Sequence, residues 1–228
     1  VGATEVKRAA PDGYTLIMTI GSSFINNAAL YKELPYDADK DFVLIASIAS
    51  QGLAVVVSDN VPAKNLPEFV EFARKADKVS LGTYGANSFP HLAVLEFNKQ
   101  YGLNIEPVHY RGESPMWADI ASQSFHAAIG SYVAALPVLQ SGKGRIIAAS
   151  SRPIRILPEL KTLPQQGAKS TLFDIAGFSG LFAAPVGTPD AIVRRLSELM
   201  VAAGRDEKTQ TVLANSPLEL PVGYEETQ

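Results

Sequence analysis

The sequence predicts an α/β fold in which helices cover mostly parallel strands, and three observations carry that expectation. Short apolar, β-branched runs alternate with helical patterns of about 10–15 residues. The turns joining them are small, polar and rich in glycine. No linker, repeat or low-complexity stretch divides the 228 residues, a length that fits one large domain or two modest ones.

Taken in order, residues 1–10 read as a short helix stopped by Pro11. Tyr14–Ile20 is an apolar run bounded by Asp12-Gly13 and Gly21, the pattern of a buried strand. Two more strands follow, Phe42–Ala49 and Leu53–Val57, separated by Ser50-Gln51-Gly52. Asn65, with Glu68 three residues on, is a capping-box variant that opens a helix. Val79–Thr83 reads as a strand, and the next helix runs through Tyr101 to a Gly102 stop. Ile105–Tyr110, a helix from Ser114-Pro115, Phe125–Ile129, a helix over Val133–Gln140 and Arg145–Ala149 continue the alternation. Thr188 then reads as an N-cap with Pro189 at the first helical position. The helix it opens sets Ile192, Leu196, Leu199 or Met200, and Ala203 on one face, with Arg194, Arg195 and Glu198 opposite. If there are two domains, the chain must cross between them on strands.

Composition removes several function classes. Twenty Lys and Arg against twenty-three Asp and Glu give a formal charge of −3, with no basic tract to follow a phosphate backbone. No apolar run reaches the roughly 18–20 residues of a bilayer span. With no cysteine there are no disulfides, zinc–thiolate sites, iron–sulfur clusters or thiol nucleophiles. Enzymatic signatures fail too: Gly177-Phe178-Ser179-Gly180 is one residue short of a nucleophile elbow, and Gly142-Lys143 belongs to no phosphate loop. His91, His109 and His126 are separated in sequence and read as hydrogen-bonded structural residues. Asp37, Asp39 and Asp41 read as a solvated turn. No catalytic residue, cofactor or metal site is expected.

What remains is a set of polar turns at the carboxyl ends of strands. In open α/β sheets ligands settle there, on helix N-termini whose unpaired N–H groups and dipole favour anions. Four turns qualify: Gly21-Ser22-Ser23, Gly82 to Ser88, Tyr110 to Ser114, and Gly130-Ser131-Tyr132. Small polar residues suit any strand–helix turn, so one such turn says little. Four of them in a chain without catalytic machinery point to a cleft for a small anion. Arg111 reads either as a bidentate carboxylate clamp or as a surface residue paired with Glu113. Tyr84, Phe89 and Tyr132 read as pocket walls or as packing, and Trp117 as core.

These segments resemble the Bug-type receptors of tripartite tricarboxylate transporters. The resemblance rests on Ala10-Pro11-Asp12-Gly13-Tyr14-Thr15-Leu16, Leu34-Pro35-Tyr36-Asp37, Tyr84-Gly85-Ala86-Asn87-Ser88 with His91-Leu92, Val108 through Pro115, and Phe182-Ala183-Ala184-Pro185-Val186-Gly187-Thr188-Pro189. It covers nearly the whole chain. It implies a two-lobed periplasmic-binding-protein fold of the type II-like kind, with a ligand cleft between the lobes. Lobe one would comprise residues 1–78 and 181–228, and lobe two residues 79–180.

The implied function is periplasmic capture of a small carboxylate by hinge closure, without catalysis, and delivery to integral-membrane permease subunits. The dicarboxylate, amino-acid and aromatic-acid classes all stay open, and the receptor is expected to be a monomer. An α/β enzyme acting on a small carboxylate and a ligand sensor for a signalling partner are the alternatives. The resemblance places the grip at Thr83, Tyr84, Gly85, Ala86, Asn87 and Ser88, aided by Ser22 and Ser23 and by Tyr110, Arg111, Gly112 and Ser131. His91 and Tyr132 belong to the same candidate set, and Phe24, Phe89, Ser131 and Tyr132 are the expected distal pocket. The family's first strand, its glycine-rich loop and its final helix would lie before Val1 and after Glu226, and a chain lacking them is expected to bind weakly. A signal peptide is likewise not part of the sequence.

Overall fold

In the computed structural model, residues 2–21, 24, 27, 28, 31–50, 52–174, 178–214 and 218–224 are described. The chain divides into two compact units, Val1–Ser50 with Gly177–Gln228, and Gln51–Ala176. The first division falls earlier than the expected crossing near residue 78, and the second at 176/177 rather than 180/181. The cause of the first is pairing: the strand after Gly52 joins the second unit's sheet. The corrected boundaries therefore put residues 51–78 in the second unit.

The first unit holds α1 (Gly2–Arg8) and a four-stranded sheet. Its strands are β1 (Ile17–Thr19), β2 (Phe42–Ser50), β8 (Phe178–Pro185) and β9 (Leu218–Val222), in the order β1-β8-β2-β9. Every pairing is antiparallel, so the expectation of a mostly parallel sheet fails here. The alternating side chains of β2 and β8 explain the layering. Phe42 and Ala183 face a cluster with Val6 of α1. Ile45, Ala46 and Ala184 face the other side, toward α6 (Asp190–Arg205). A bulge between Leu44 and Ala46 lets β2 feed both faces. Phe24 is buried against Tyr36 and Phe42, with ring centroids 5.4 and 5.2 Å away, so it serves this core and not a distal pocket.

Two readings at the α6 end are corrected. Thr188 does not cap the helix: its Oγ1 donates to the Pro185 carbonyl at 2.7 Å, and Pro189 is the N-cap. The buried seam runs through Val193, Leu196, Ser197, Met200 and Gly204, while Leu199 is exposed. It is turned by about one residue from the seam that the apolar spacing suggested. α7 (Glu207–Ala214) and β9 follow, where the sequence reading had placed neither.

The second unit is built around a five-stranded sheet in the order β5-β4-β6-β3-β7. The strands are β3 (Ala54–Ser58), β4 (Val79–Thr83), β5 (Ile105–His109), β6 (Ala127–Gly130) and β7 (Gly144–Ala149). β4 runs parallel to both β5 and β6, and β3 runs antiparallel to β6 and β7. Strand β3, flanked by β6 and β7, is buried at all five positions. Val55 and Val57 face α2 (Leu66–Lys75) and α3 (Phe89–Tyr101) through Phe69, Val70, Val94 and Phe97. Ala54 and Val56 face α4 (Glu113–Ala121) and α5 (Tyr132–Gln140) through Met116, Trp117, Ile120 and Val138. Helices thus cover both faces, the three-layer arrangement that parallel strands require. The Asn65 cap forms as read, its Oδ1 accepting from the Glu68 amide at 2.9 Å. The return arm of the box goes to the Lys64 amide at 2.8 Å. Among the described residues no helix is long and apolar enough to cross a membrane.

Candidate functional site

Parallel registry of β4 with β5 and β6 brings three carboxyl ends to one sheet edge. Thr83 stands opposite His109, and Gly82 opposite Ala128. Each end turns directly into a helix: 84–88 into α3, 110–112 into α4, and Ser131 into α5. Twelve of the fourteen site residues expected from sequence lie in or beside these turns. Ser22 and Ser23 lie outside the described residues.

The 83–88 turn is folded by a chain of side-chain bonds. Thr83 Oγ1 donates to the Gly85 carbonyl at 3.2 Å, and Ser88 Oγ donates to the same oxygen at 2.6 Å. Because the Thr83 proton is used there, the 2.7 Å contact with His109 Nδ1 requires that nitrogen to carry the hydrogen. Asn87 takes the left-handed conformation at φ 61°, which Asn tolerates better than most residues, and its amide donates to His91 Nδ1 at 3.0 Å. His91 Nδ1 is therefore the unprotonated nitrogen. The two imidazoles meet edge to face with centroids 4.7 Å apart.

The histidines so separated in sequence are thus a pair, and His109 is a site neighbour the sequence reading missed. The available signal was its position just before Tyr110 on a strand parallel to β4.

These bonds leave the outer backbone of the turn unused. Among the described residues, the amides of Gly85, Ala86 and Phe89 have no protein acceptor, and Ser88 caps α3 without a side-chain bond. Phe89 opens the thirteen-residue α3, and Gly85 and Ala86 precede its N-cap Ser88, so these N–H groups lie near the end of the helix whose dipole favours an anion.

The second turn is tied to the first. Tyr110 donates its amide to Thr83 O at 2.9 Å, and Gly112 donates to Tyr84 O at 3.3 Å. Gly112 sits at φ 104°, open to glycine and strained for other residues. The Tyr110 hydroxyl donates to Asp119 at 2.6 Å, and burial with that carboxylate pushes it up to about 12. Its ring lies tilted against that of Phe125, centroids 5.6 Å apart, so the Tyr110 side chain is committed to the interior. Burial, then the charge of Glu113, raises the Tyr84 phenol as well. Arg111 is exposed and, among the described residues, has no ion-pair partner.

The alternative in which Arg111 pairs with Glu113 does not form. Glu113 Oε2 instead accepts from the Ser131 amide (2.9 Å), Ser131 Oγ (2.7 Å) and Trp117 Nε1 (3.2 Å). Glu113 is a second residue of this edge that sequence reasoning left out. Trp117 is core, as expected. Tyr132 packs partly on the α4–α5 side and Phe89 on the α2–α3 side, where it meets Phe173 edge to face. Among the described residues no group of three or more His, Asp or Glu side chains is placed to hold a metal.

Acid stability follows from the imidazoles. Burial, and then the neighbouring His109, pulls His91 below the usual histidine value, and burial does the same to His126. His126 Nδ1 also accepts a backbone amide, that of Ser80, at 3.1 Å. With both folded-state values depressed, the unfolded chain binds more protons once pH falls below about 6.5. This contribution is full above that pH and is lost as pH drops toward the folded-state values. Partial exposure of both rings makes the decline shallow. The melting temperature is expected to hold steady above about pH 7 and to fall on acidification from about 6.5 to 5. A rise across that window would contradict these tautomers.

Comparison with known proteins identifies the family and the fold. A family model described as the tripartite tricarboxylate transporter family receptor matches residues 1–228. A UPF0065 protein of Bordetella pertussis is 25% identical over 226 residues, which cover 96% of this chain and 67% of that protein. The chain spans only 45% to 59% of three further curated relatives. Among solved structures, R. palustris Rpa4515 with adipate superposes with a TM-score of 0.88 at 25% identity, covering 99% of this chain and 76% of that one. The periplasmic binding protein BugD gives 0.83 at 26% identity, covering 95% and 72%.

Proposed function

This chain belongs to the tripartite tricarboxylate transporter receptor family, and from that premise we propose that it captures a small organic carboxylate outside the cytoplasm for a membrane permease. One observation carries the reading: among the described residues, the amides of Gly85, Ala86 and Phe89 around the α3 N-terminus have no acceptor, and Arg111 in the adjoining turn has no ion-pair partner. A carboxylate oxygen takes such donors without a metal, and each charge-assisted bond contributes about 1.5–3 kcal/mol. Three or four of them support micromolar binding, about −8 kcal/mol. The adipate on Rpa4515 supports an acid of this class as ligand, and the BugD description supports the periplasm as its place. The permease partner rests on the family description. Capture requires no bond to break, in keeping with the family's receptor role.

Calorimetric titration with a panel of small mono- and dicarboxylates is expected to give saturable binding. The acids should be recovered unchanged. Turnover of any of them would favour an enzyme, and the absence of binding across the panel would remove the carboxylate reading.

A further inference from the structure

We propose that His91 and His109 form an acid-opened latch on the 83–88 turn: His91 holds the turn in its folded shape while neutral and releases Asn87 when it takes a proton. The latch is a property of the turn itself, and its consequence for binding rests on the carboxylate-receptor reading.

The two imidazoles pin the two ends of one turn. At its start, His109 Nδ1 donates to Thr83 Oγ1 at 2.7 Å, and that buried hydroxyl donates to the Gly85 carbonyl at 3.2 Å. At its end, His91 Nδ1 accepts the Asn87 amide at 3.0 Å. Asn87 is held there at φ 61°, a left-handed conformation that persists where its surroundings fix it. Among the described residues no other acceptor takes that amide.

The two rings respond to acid in opposite ways. A neutral imidazole has one N–H and one bare nitrogen, and an imidazolium has two N–H groups. His109 already carries hydrogen at Nδ1, so a proton on its other nitrogen leaves the Thr83 bond in place. His91 uses its bare nitrogen on Asn87, and an added proton has only that atom to occupy. Two N–H groups then face each other where the bond was, and the turn must move to separate them. His109 is exposed and His91 half-buried, with ring centroids 4.7 Å apart, so a charge on one opposes a charge on the other.

The surroundings of His91 are otherwise short of charge. His109 is the titratable group that faces it from β5, and Glu106 at the other end of that strand is paired with Lys78 at 2.9 Å. β4 and β6 carry no ionisable side chain. On α3 the residues one turn on are Val94 and Leu95, with Glu96 and Lys99 beyond them. Within the turn, burial and then the charge of Glu113 keep the Tyr84 phenol neutral. In the adjoining turn Arg111 is exposed, and Glu113 is seated on Ser131. Burial, then His109, holds His91 below the usual histidine value. The latch is therefore shut at neutral pH and opens only below about pH 6.5.

The test is a pH titration of the ligand-free, ¹⁵N-labelled full chain, followed by ¹⁵N–¹H correlation spectra from about pH 8 to 5. The Asn87 amide signal is expected to stay in place down to about pH 6.5 and then to move upfield in step with the His91 ring. His91→Asn offers a carbonyl oxygen near the position of Nδ1 and cannot titrate, so its Asn87 signal is expected to stay in place throughout. His109→Asn keeps an N–H for Thr83 and removes the second charge, so its Asn87 transition is expected at higher pH than in the wild type. Adipate supplies the functional readout. The ratio of wild-type to His91→Asn Kd is expected to rise about threefold or more between about pH 7.5 and 5.5, a ratio in which the acid's own titration cancels. A wild-type Asn87 signal that ignores the His91 titration overturns the proposal, whether or not the variants fold. So does a folded His91→Asn whose Asn87 signal moves as in the wild type, or a Kd ratio that stays constant. The spectra need no ligand, so a failure of the latch and a failure of carboxylate binding are read separately.

Discussion

Gly52→Ala is expected to lower the melting temperature by about 6–12 °C, from a loss of about 3 kcal/mol. A Cβ at this position would lie 1.9 Å from the Arg152 carbonyl oxygen, 3.0 Å from its carbon and 3.2 Å from the Ala149 Cβ. The obstacle is backbone, so no change of rotamer relieves it. The main chains must part, and the bonds that join them go with the movement. Gly52 donates to Pro153 O at 3.4 Å, Leu53 donates to Ser150 Oγ at 2.8 Å, and Ser150 returns its amide to Leu53 O at 2.8 Å. These bonds fix the entry to β3, an interior strand of the second unit's sheet that is buried at every position. A thermal melt followed by circular dichroism checks the prediction, and a shift under about 2 °C would show that the loop yields freely.

Ala86→Pro is expected to weaken carboxylate binding about 10–100-fold while leaving the fold intact. Proline removes one N–H and adds no charge. Ala86 is exposed, its amide has no acceptor among the described residues, and the preceding residue is glycine. The change therefore subtracts one charge-assisted donor from the site, about 1.5–3 kcal/mol. Calorimetric titration of the variant beside the wild type measures it. An unchanged Kd, with an unchanged melting temperature, would mean that the ligand is held elsewhere.

The two units differ in how much of them the sequence disclosed. In the second, four of the five strands are each followed by a helix that packs on the sheet, so local periodicity and turn chemistry suffice there. Val79–Thr83 is found at the bounds read from sequence, and Gly102 takes the left-handed stop expected of it. In the first, β8 bridges β1 and β2 from the far side of the second unit's whole stretch of chain, and β9 joins β2 from the far end of the sequence. No local pattern encodes such pairing. Thr188 shows a smaller failure of the same kind. A hydroxyl before proline is a good cap by composition, yet Thr188 turns its hydroxyl back to the Pro185 carbonyl and the helix begins one residue later, after Pro189.

The site was half legible for the same physical reason. The turns of Thr83–Ser88 and Ser131 follow from small polar residues after strands. The pairing of His91 with His109 depends on the β4–β5 register, and that of Glu113 with Ser131 on which strands flank β4. Arg111 illustrates the limit. Sequence proximity made Glu113 its natural partner, but the turn into α4 carries the carboxylate toward α5 instead.

The central claim is that open main-chain amides of one turn hold the acid. It is tested most directly by a ¹⁵N–¹H correlation spectrum of the labelled protein during titration with adipate. The amide signals of Gly85, Ala86 and Phe89 are expected to move downfield together, saturating with the calorimetric Kd, and more than any others in the second unit. Saturable binding that leaves those three signals in place while amides elsewhere move would contradict the account.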